Sequence, residues 1–222
     1  METIKKLSDL NKKYLQPVVA LGMFDGVHVG HASVINHAKE ISKKIGGTLI
    51  VFTFSNHPLS IISPEKTPLS IGSRSLRREI FESLGVEVLI EIPFTKEFSR
   101  KSPEEFLELL RDKITPAYVV TGPNYTFGRF GKGNGRMLLR EGKNFGFDTE
   151  ICPAVTSDKK NVSSTRIRAL IAEGLWLTKC SAEILPICPK SFTETNAAES
   201  WVFRLRILKL TTTEQCCPTA FI

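Results

Sequence analysis

The chain has 222 residues, with 30 Lys and Arg against 23 Asp and Glu, and so carries a formal net charge of +7. Its length allows one full α/β domain plus a small appendage, and its hydrophobic fraction of 41% is ordinary for a globular protein. No apolar run approaches the roughly 18 residues of a membrane span, and the polar opening METIKKLSDLNKKYL lacks a signal-peptide core. We therefore expect a cytoplasmic protein with no membrane partner.

The positive charge is dispersed rather than concentrated. It falls in short pairs such as Lys43-Lys44 and Lys159-Lys160, with no basic block of five or more and no aromatic residues interleaved. This pattern argues against a nucleic-acid partner and favours an anionic small substrate. The five Cys form no CxxC pair and predict neither a zinc site nor a disulfide framework; they are Cys152, Cys180, Cys188, Cys216 and Cys217.

Strand-like and helix-like segments alternate along the chain. Apolar, strand-like runs cover residues 16–21, 48–54, 86–92, 117–121 and 147–152. Helical patterns cover residues 31–45, 75–84, a segment opening at 102, 137–144 and 164–173. The motif Ser102-Pro103-Glu104-Glu105 predicts a capped helix start, because Ser102 and Glu105 can form a capping box around Pro in the first turn.

This alternation predicts an α/β, Rossmann-like fold with a mostly parallel sheet and helices on both faces. The near-continuous apolar strands suit a sheet that is covered on both sides. Ligands in such sheets bind at the carboxyl ends of the strands. Polar segments that directly follow strands are therefore the candidate functional segments.

The first such segment is GMFDGVHVGH, which leaves the first strand and enters a helix. Gly22, Gly26 and Gly30 allow the backbone to approach a ligand closely, and His28 and His31 share one face at the helix N-terminus. Free N–H groups and the helix dipole favour phosphate there. The alternative is that both His merely cap and pack. A metal site is less favoured because no third ligand is nearby, and no GK[ST] follows to make a P-loop.

The second segment, FSNHP, follows the second strand at the same expected edge of the sheet. His57 is either an ordinary turn histidine or a ligand-binding one, and its position at a strand end leaves both readings open.

The third segment, TGPNYTFGRFGKG, follows the fourth strand. A flat ring system could stack on Tyr125 or Phe127 while Asn124 reads its edge. The alternative is a Gly-rich surface loop that its aromatic residues anchor, although long loops of this kind are often functional.

The fourth segment, VSSTRIR, opens the last helix. Ser is an excellent N-cap residue, so a plain cap is the simple reading. A cap does not need Arg166 and Arg168 in the first turn, where the dipole disfavours cations. A phosphate held between the helix end and an Arg would resolve that conflict.

Together these segments resemble the bacterial FAD synthetase family, within the wider HxGH nucleotidyltransferases. GMFDGVHVGH resembles the signature GxFDGxHxGH, and FSNHP resembles FxPHP, with Asn56 where Pro is common. TGPNYTFGRFGKG and VSSTRIRALIAEG are similar to the family's Gly-rich aromatic loop and its SSTxIR helix start. The four motifs occur in family order across residues 16–174, and the combination is far more specific than HxGH alone.

The resemblance implies transfer of AMP from ATP to FMN, giving FAD and pyrophosphate, with Mg²⁺ accompanying ATP and no metal held by protein residues alone. The catalytic candidates are His28, His31, Ser164 and Arg168. The matching motifs imply a larger set of ATP- and FMN-binding residues: Gly22, Phe24, Asp25, Gly26, Gly30, His57, Pro58, Asn124, Tyr125, Phe127, Gly128, Ser163, Thr165 and Arg166. Two alternatives remain, another HxGH nucleotidyltransferase such as a cytidylyltransferase-like enzyme, and a non-catalytic truncated product.

The chain changes character near Gly174, where family members continue into a riboflavin kinase domain. Residues 175–222 show little periodicity, contain four of the five Cys and end in CCPTAFI. With freely chosen codons, an alternative reading frame across residues 193–208 is compatible with the kinase motif GRxLGFPTAN. We interpret residues 1–174 as the adenylyltransferase domain and residues 175–222 as a frameshifted remnant, and we expect no riboflavin kinase activity. A genuine lineage-specific tail is the alternative.

Overall fold

The structure, a computed structural model, describes residues 1–10, 14–157 and 159–173. The interpretation of residues 175–222, and Gly174 as the stop of the last helix, lie outside this part of the chain.

Ten strands occur in the described part of the chain: β1 Glu2–Ile4, β2 Val18–Leu21, β3 Leu49–Phe54, β4 Val88–Ile92, β5 Tyr118–Thr121, β6 Thr126–Phe127, β7 Gly133–Asn134, β8 Asp148–Ile151, β9 Thr156–Ser157 and β10 Lys160–Asn161. The α-helices there are α1 Val29–Ile45, α2 Leu59–Ile62, α3 Arg74–Ser83, α4 Pro103–Leu109, α5 Gly135–Glu141 and α6 Ser164–Ala172. The five predicted strands and five predicted helices occur in the predicted order, with boundaries displaced by one to three residues at most ends. The short helix α2 and the short strands β1, β6, β7, β9 and β10 were not predicted.

Six strands form one parallel sheet in the order β1-β4-β3-β2-β5-β8. From β2 the chain builds outward through β3 and β4, then crosses to the other side of β2 to form β5 and β8. The strand order therefore reverses beside β2, which is where ligands of doubly wound sheets bind. The edge strand β1 was not predicted from the sequence, because three residues of mixed polarity give no readable periodicity.

Helices cover both faces of the sheet, as predicted. Val18, Ala20 and Val51 pack on one face, in the same cluster as Ile35 of α1 and Phe81 of α3. Alternate strand residues, including Val19 and Phe52, pack on the other face with Phe106 of α4 and Leu138 of α5. This alternation between two buried faces explains why the strands read as continuous apolar runs.

The helix ends follow local chemistry. Gly46 ends α1 with φ 65, in the left-handed region that Gly adopts without strain. The predicted capping box at α4 is confirmed, since the Glu105 N–H donates to Ser102 Oγ at 3.1 Å and the Ser102 N–H donates to Glu105 Oε2 at 2.6 Å. A π-helical turn, Leu110–Ile114, follows α4 directly. Within the described residues, no helix is both long and apolar enough to cross a membrane.

Candidate functional site

The loop after β2 makes an unusually tight entry into α1. Phe24 lies in the left-handed region with φ 51, and a 3-10 turn, Asp25–Val27, follows with Gly26 at φ 76. A Cβ on Gly22 would lie 2.8 Å from the Phe24 ring, so any side chain there would force the ring to move. The backbone therefore reaches the N-cap position of α1 in a conformation that depends on these Gly residues.

The two His side chains stack on each other at the start of α1. Their ring centroids are 3.6 Å apart with an interplanar angle of 18°. His28 is the N-cap residue, and its Nδ1 accepts a hydrogen bond from the His31 N–H at 3.3 Å. Phe24 packs edge-on against His31, with ring centroids 5.4 Å apart. Because Nδ1 of a neutral His28 is the acceptor, its proton lies on Nε2, which is left as a donor.

Both imidazoles are held neutral near pH 7. Burial lowers the pKa of His28 to about 4, although the nearby carboxylate of Asp25 opposes this change. Burial also lowers the pKa of His31 well below its usual value, and a proton on His28 or the positive charge of Arg77 lowers it further. Among the described residues, His31 Nδ1 has no hydrogen-bond partner. The pair thus presents neutral hydrogen-bonding groups beside a helix N-terminus.

Asp25 connects this turn to the last helix. Its Oδ1 accepts hydrogen bonds from Ser70 Oγ and from the Ile71 N–H, both at 3.1 Å. Its Oδ2 forms an ion pair with Arg168 Nη2. Ser164 Oγ donates to the Asp25 carbonyl at 3.1 Å. Asp25 therefore brings the start of α6 to the start of α1, two segments that lie about 140 residues apart in sequence.

The two Arg residues of α6 have different partners. Arg166 Nη1 donates to the carbonyl oxygens of Ser157 and Lys160, at 3.1 and 3.3 Å, and so braces the β9–β10 hairpin. Arg168 donates through Nε to the Leu69 carbonyl at 2.8 Å and faces Asp25. The N-cap is Ser163, whose Oγ accepts from the Arg166 N–H at 3.2 Å. Thr165 is exposed at the helix start.

The loop after β3 lies within electrostatic reach of the same site. Burial lowers the pKa of His57, the positive charge of Arg168 lowers it further, and Asp25 opposes both. His57 also has a turn role, because its Nδ1 accepts from the Leu59 N–H at 3.2 Å. The next residue, Pro58, occupies the N-cap position of α2. Both readings of His57 are therefore compatible with the structure, since it shapes the turn and lies near the charged groups.

Asn56 fixes this loop in a way that Pro could not. Its Nδ2 donates to the Phe94 carbonyl at 3.1 Å, and its Oδ1 accepts from the Phe94 N–H at 2.8 Å. The amide thus pairs with the backbone after β4 and joins two neighbouring loops at the carboxyl edge of the sheet.

The loop after β5 is anchored by its aromatic residues. Phe127 is 6% exposed and packs on Phe106, with ring centroids 5.2 Å apart. Tyr125 stacks on Phe127 at 5.9 Å, and burial raises the pKa of Tyr125. Gly128 has φ 71, and a Cβ there would lie 2.6 Å from Pro103 N. Phe127 therefore anchors the loop in the core, which is the alternative that the sequence left open. Asn124 is exposed at the loop surface.

Sequence reasoning missed the groups that hold the first two loops together. Thr53 Oγ1 and Arg77 Nη1 both donate to the Met23 carbonyl, at 3.0 and 3.3 Å. Arg77 in turn pairs with Glu91, which is buried within β4. A signal was present, because Glu91 interrupts the apolar strand VLIEI, where a charge requires a buried partner.

Comparison with known proteins identifies the family of the chain. The FAD synthetase family model matches residues 11–166. The chain belongs to the FAD synthetase family. It is 34% identical to a bifunctional riboflavin kinase/FMN adenylyltransferase of Listeria monocytogenes, over 78% of this chain and 53% of the relative. A Listeria monocytogenes FAD synthetase is 31% identical, over 74% of this chain and 67% of the relative. The chain spans about half the length of the bifunctional relatives of Listeria monocytogenes and Bacillus subtilis.

Solved structures show the same architecture. A crystal structure described as a macrolide-efflux protein from Streptococcus pneumoniae superposes with a TM-score of 0.67 at 29% identity, covering 78% of this chain and 58% of its own. The pantoate-beta-alanine ligase of Francisella tularensis, complexed with beta-gamma ATP and beta-alanine, has a TM-score of 0.50 at 17% identity, covering 82% of this chain and 86% of its own. The second likeness shows a shared fold alone.

Proposed function

We propose that the chain transfers the AMP moiety of ATP to FMN, giving FAD and pyrophosphate. The observation that carries the proposal is the neutral, stacked pair His28 and His31 at the start of α1, beside the point where the strand order reverses. Membership of the FAD synthetase family supports flavin as the acceptor. A helix N-terminus with imidazole donors is suited to a nucleoside triphosphate chain.

The proposed chemistry is an in-line displacement at the α-phosphorus of ATP. A phosphate oxygen of FMN forms the new P–O bond, and the bond from the α-phosphorus to the oxygen bridging to the β-phosphate breaks. Pyrophosphate leaves with the electron pair of that bond, so no protein nucleophile is needed. Catalysis then consists of alignment and stabilisation of charge on the phosphoryl oxygens.

The residues of the site divide this work between two helix starts. His28 Nε2–H donates a hydrogen bond to a phosphate oxygen. His31 stacks on His28 and offers a ring nitrogen for a second hydrogen bond to the phosphates. Ser164, Thr165 and Arg168 bind the phosphate chain from α6. The ion pair with Asp25 holds the Arg168 guanidinium beside the turn that leads into α1. We propose that the same guanidinium contacts phosphate when ATP is bound.

We propose that Mg²⁺ enters as part of the substrate, MgATP. Among the described residues, no group of three or more His, Cys, Asp or Glu side chains is placed to hold a metal ion. The Asp25 carboxylate is already bound by Arg168, Ser70 and Ile71. Mg²⁺ commonly keeps several waters and binds substrate phosphates rather than a full protein cage.

The direct test is incubation of the chain with FMN and MgATP, with FAD measured by chromatography. His28→Ala should lower kcat by at least about 10²-fold, typical of the loss of a preorganised charge stabiliser. His37→Ala is the matched control, because His37 lies on the same helix but pairs with Glu150 Oε2 at 2.5 Å. A folded parent protein that forms no FAD, or a His28→Ala variant with parental turnover, would contradict the proposal.

We further propose that the chain has no riboflavin kinase activity. The support is the sequence interpretation of residues 175–222 as out-of-frame translation. Riboflavin and MgATP should therefore give no FMN under conditions where FMN and MgATP give FAD. FMN formation at a rate comparable to FAD formation would show that this proposal is wrong.

A further inference from the structure

One guanidinium lies across the carboxyl ends of three adjacent strands. Arg77 in α3 donates through Nη1 to the Met23 carbonyl at 3.3 Å, just after β2. Through Nη2 it donates to the Phe54 carbonyl at 2.9 Å, at the end of β3. The same Nη2 contacts Glu91 Oε1 at 2.5 Å, within β4. Met23 begins the loop that leads to His28, and Phe54 begins the loop that leads to His57.

The Glu91 carboxylate holds the Arg77 guanidinium in this position. Its other carboxylate oxygen pairs with Nη2 of Arg78, the next residue on α3. Burial opposes ionisation of Glu91, but the hydrogen bonds from Arg78 and Arg77 outweigh it and hold the pKa of Glu91 below its usual value. The carboxylate is therefore ionised at neutral pH. We call Arg77, Arg78 and Glu91 the Arg77 clamp.

Burying the charges of the Arg77 clamp costs desolvation free energy. Glu91 is 2% exposed and Arg77 is 9% exposed. Within the described part of the chain, Nε of Arg77 is buried without a hydrogen-bond partner. Buried charge networks often contribute no more to stability than apolar residues of the same volume. Stability alone therefore does not account for these three charges. What an apolar replacement could not reproduce is the pair of hydrogen bonds to the Met23 and Phe54 carbonyls.

We propose that Arg77 is a positioning residue for the adenylyl-transfer site, setting the spacing between the loop after β2 and the loop after β3. The inference rests on the proposed function and identifies a residue outside the motifs that carry it. The planar guanidinium is suited to this task, because its rigid fork addresses several acceptors at fixed angles. Thr53 Oγ1 assists, since it donates to the same Met23 carbonyl at 3.0 Å. Arg77 acts through the backbone of the loops and is not placed as a group that touches substrate.

The decisive variant is the double substitution Arg77→Met with Glu91→Leu. It removes both buried charges together, so no unpaired carboxylate is left to unfold the chain. Loss of alignment should lower kcat for FAD formation by at least about tenfold, because a displacement near 1 Å can cost 10²-fold. The KM for ATP should change by less than about threefold, since the phosphate-binding groups remain. Amide hydrogen exchange should become faster in peptides covering residues 22–28 and 53–58.

Arg78→Met is the matched control. It removes one partner of Glu91 but leaves both carbonyl contacts of Arg77 intact, so kcat and exchange in the two loops should stay near parental values. Arg77→Lys provides a second test if the double variant does not fold. An ammonium group lacks the fork that reaches both carbonyls and Glu91 together, so kcat should fall by at least about threefold.

The outcomes distinguish the positioning role of Arg77 from the proposed adenylyl-transfer function. Parental kcat and parental exchange in a folded double variant, or parental kcat in Arg77→Lys, would overturn the positioning role. Loss of activity in Arg78→Met equal to that of the double variant would also overturn it, because that variant keeps both carbonyl contacts of Arg77. Faster exchange in the two loops, in a chain whose parent forms no FAD, would support the clamp and reject the proposed function.

Discussion

At the scale of single residues, the site depends on His side chains that folding keeps uncharged. His28 and His31 stack at 3.6 Å, a spacing at which two imidazolium ions would repel each other. Burial is the first cause of the lowered pKa of both. A neutral imidazole with a defined tautomer is a directional donor, and the hydrogen bond from the His31 N–H to His28 Nδ1 provides that definition.

The lowered pKa of His28 predicts a pH dependence of stability. In the unfolded chain His28 binds a proton below its ordinary pKa of 6.5, whereas in the folded chain it does so only below about 4. The contribution of His28 to the free energy of unfolding is therefore fully present above about pH 6.5 and is lost as the pH falls from 6.5 towards 4, by up to about 3 kcal/mol. Chemical denaturation at pH 7.5 and pH 5 measures the difference.

Two variants assign that pH dependence to the site. His28→Asn removes one titrating group and should reduce the fall in the free energy of unfolding between these pH values, leaving the part that His31 and His57 contribute. His37→Asn removes a half-exposed histidine of the same helix and should leave most of the fall in place. An equal slope in the parent and in His28→Asn would contradict burial of a neutral His28.

At the scale of elements, helix α6 reaches the site by tertiary contacts, through Asp25. The ion pair of Asp25 with Arg168 and the hydrogen bond from Ser164 Oγ attach the helix start to the turn before α1. Arg166, two residues earlier, points to the β9–β10 hairpin instead. One helix turn therefore carries two Arg residues with different partners.

This division predicts unequal effects in a matched pair of variants. Arg168→Ala should lower kcat/KM for ATP by about 10²-fold, because a cation beside the phosphate chain is lost. Arg166→Ala should lower the free energy of unfolding by about 1 kcal/mol through the lost carbonyl contacts, with kcat/KM changed by less than about threefold. Steady-state kinetics and denaturant titration distinguish the two. Equal kinetic losses would mean that Arg166 also serves the phosphates.

At the scale of the whole molecule, the carboxyl edge of one sheet brings together loops that are far apart in the chain. The loops after β2, β3 and β5 meet there because β2 lies between β3 and β5. Right-handed crossovers between parallel strands make this placement general for the fold. A ligand that binds this arrangement binds the folded chain and not the unfolded chain, so it should stabilise the native state.

Thermal melting tests whether the folded chain has a nucleotide site. At an ATP concentration of about 100 times Kd, with Mg²⁺ present, binding to the native state should add about 2.7 kcal/mol of stability and raise Tm by several degrees. Mg²⁺ alone is the control and should leave Tm nearly unchanged, since its ligands come largely from ATP. A folded chain whose Tm does not respond to MgATP would favour the non-catalytic alternative.

Much of the fold could be predicted from the sequence, because strands, helices and helix caps depend on residues that are close together in the chain. The apolar runs at β2 and β3 and the helical spacing from His31 to Ile45 identify a covered parallel sheet without knowledge of contacts. Gly and Ser at strand exits and helix starts mark where the backbone turns at the carboxyl edge of the sheet. The capping box at Ser102 is confirmed for the same reason, since all its atoms lie within four residues.

Tertiary structure alone decided the contacts between segments remote in sequence. Nothing local distinguishes Arg168, which pairs with Asp25, from Arg166, which braces a hairpin. Phe127 reads like a ligand-facing aromatic, yet Phe106 from another element covers it. The Arg77 clamp likewise joins three strands and a helix, and a single charge in an apolar strand reveals only that a partner is needed. The sequence by itself determined which polar segments follow the strands and begin the helices; the packing of distant elements determined which of their side chains meet.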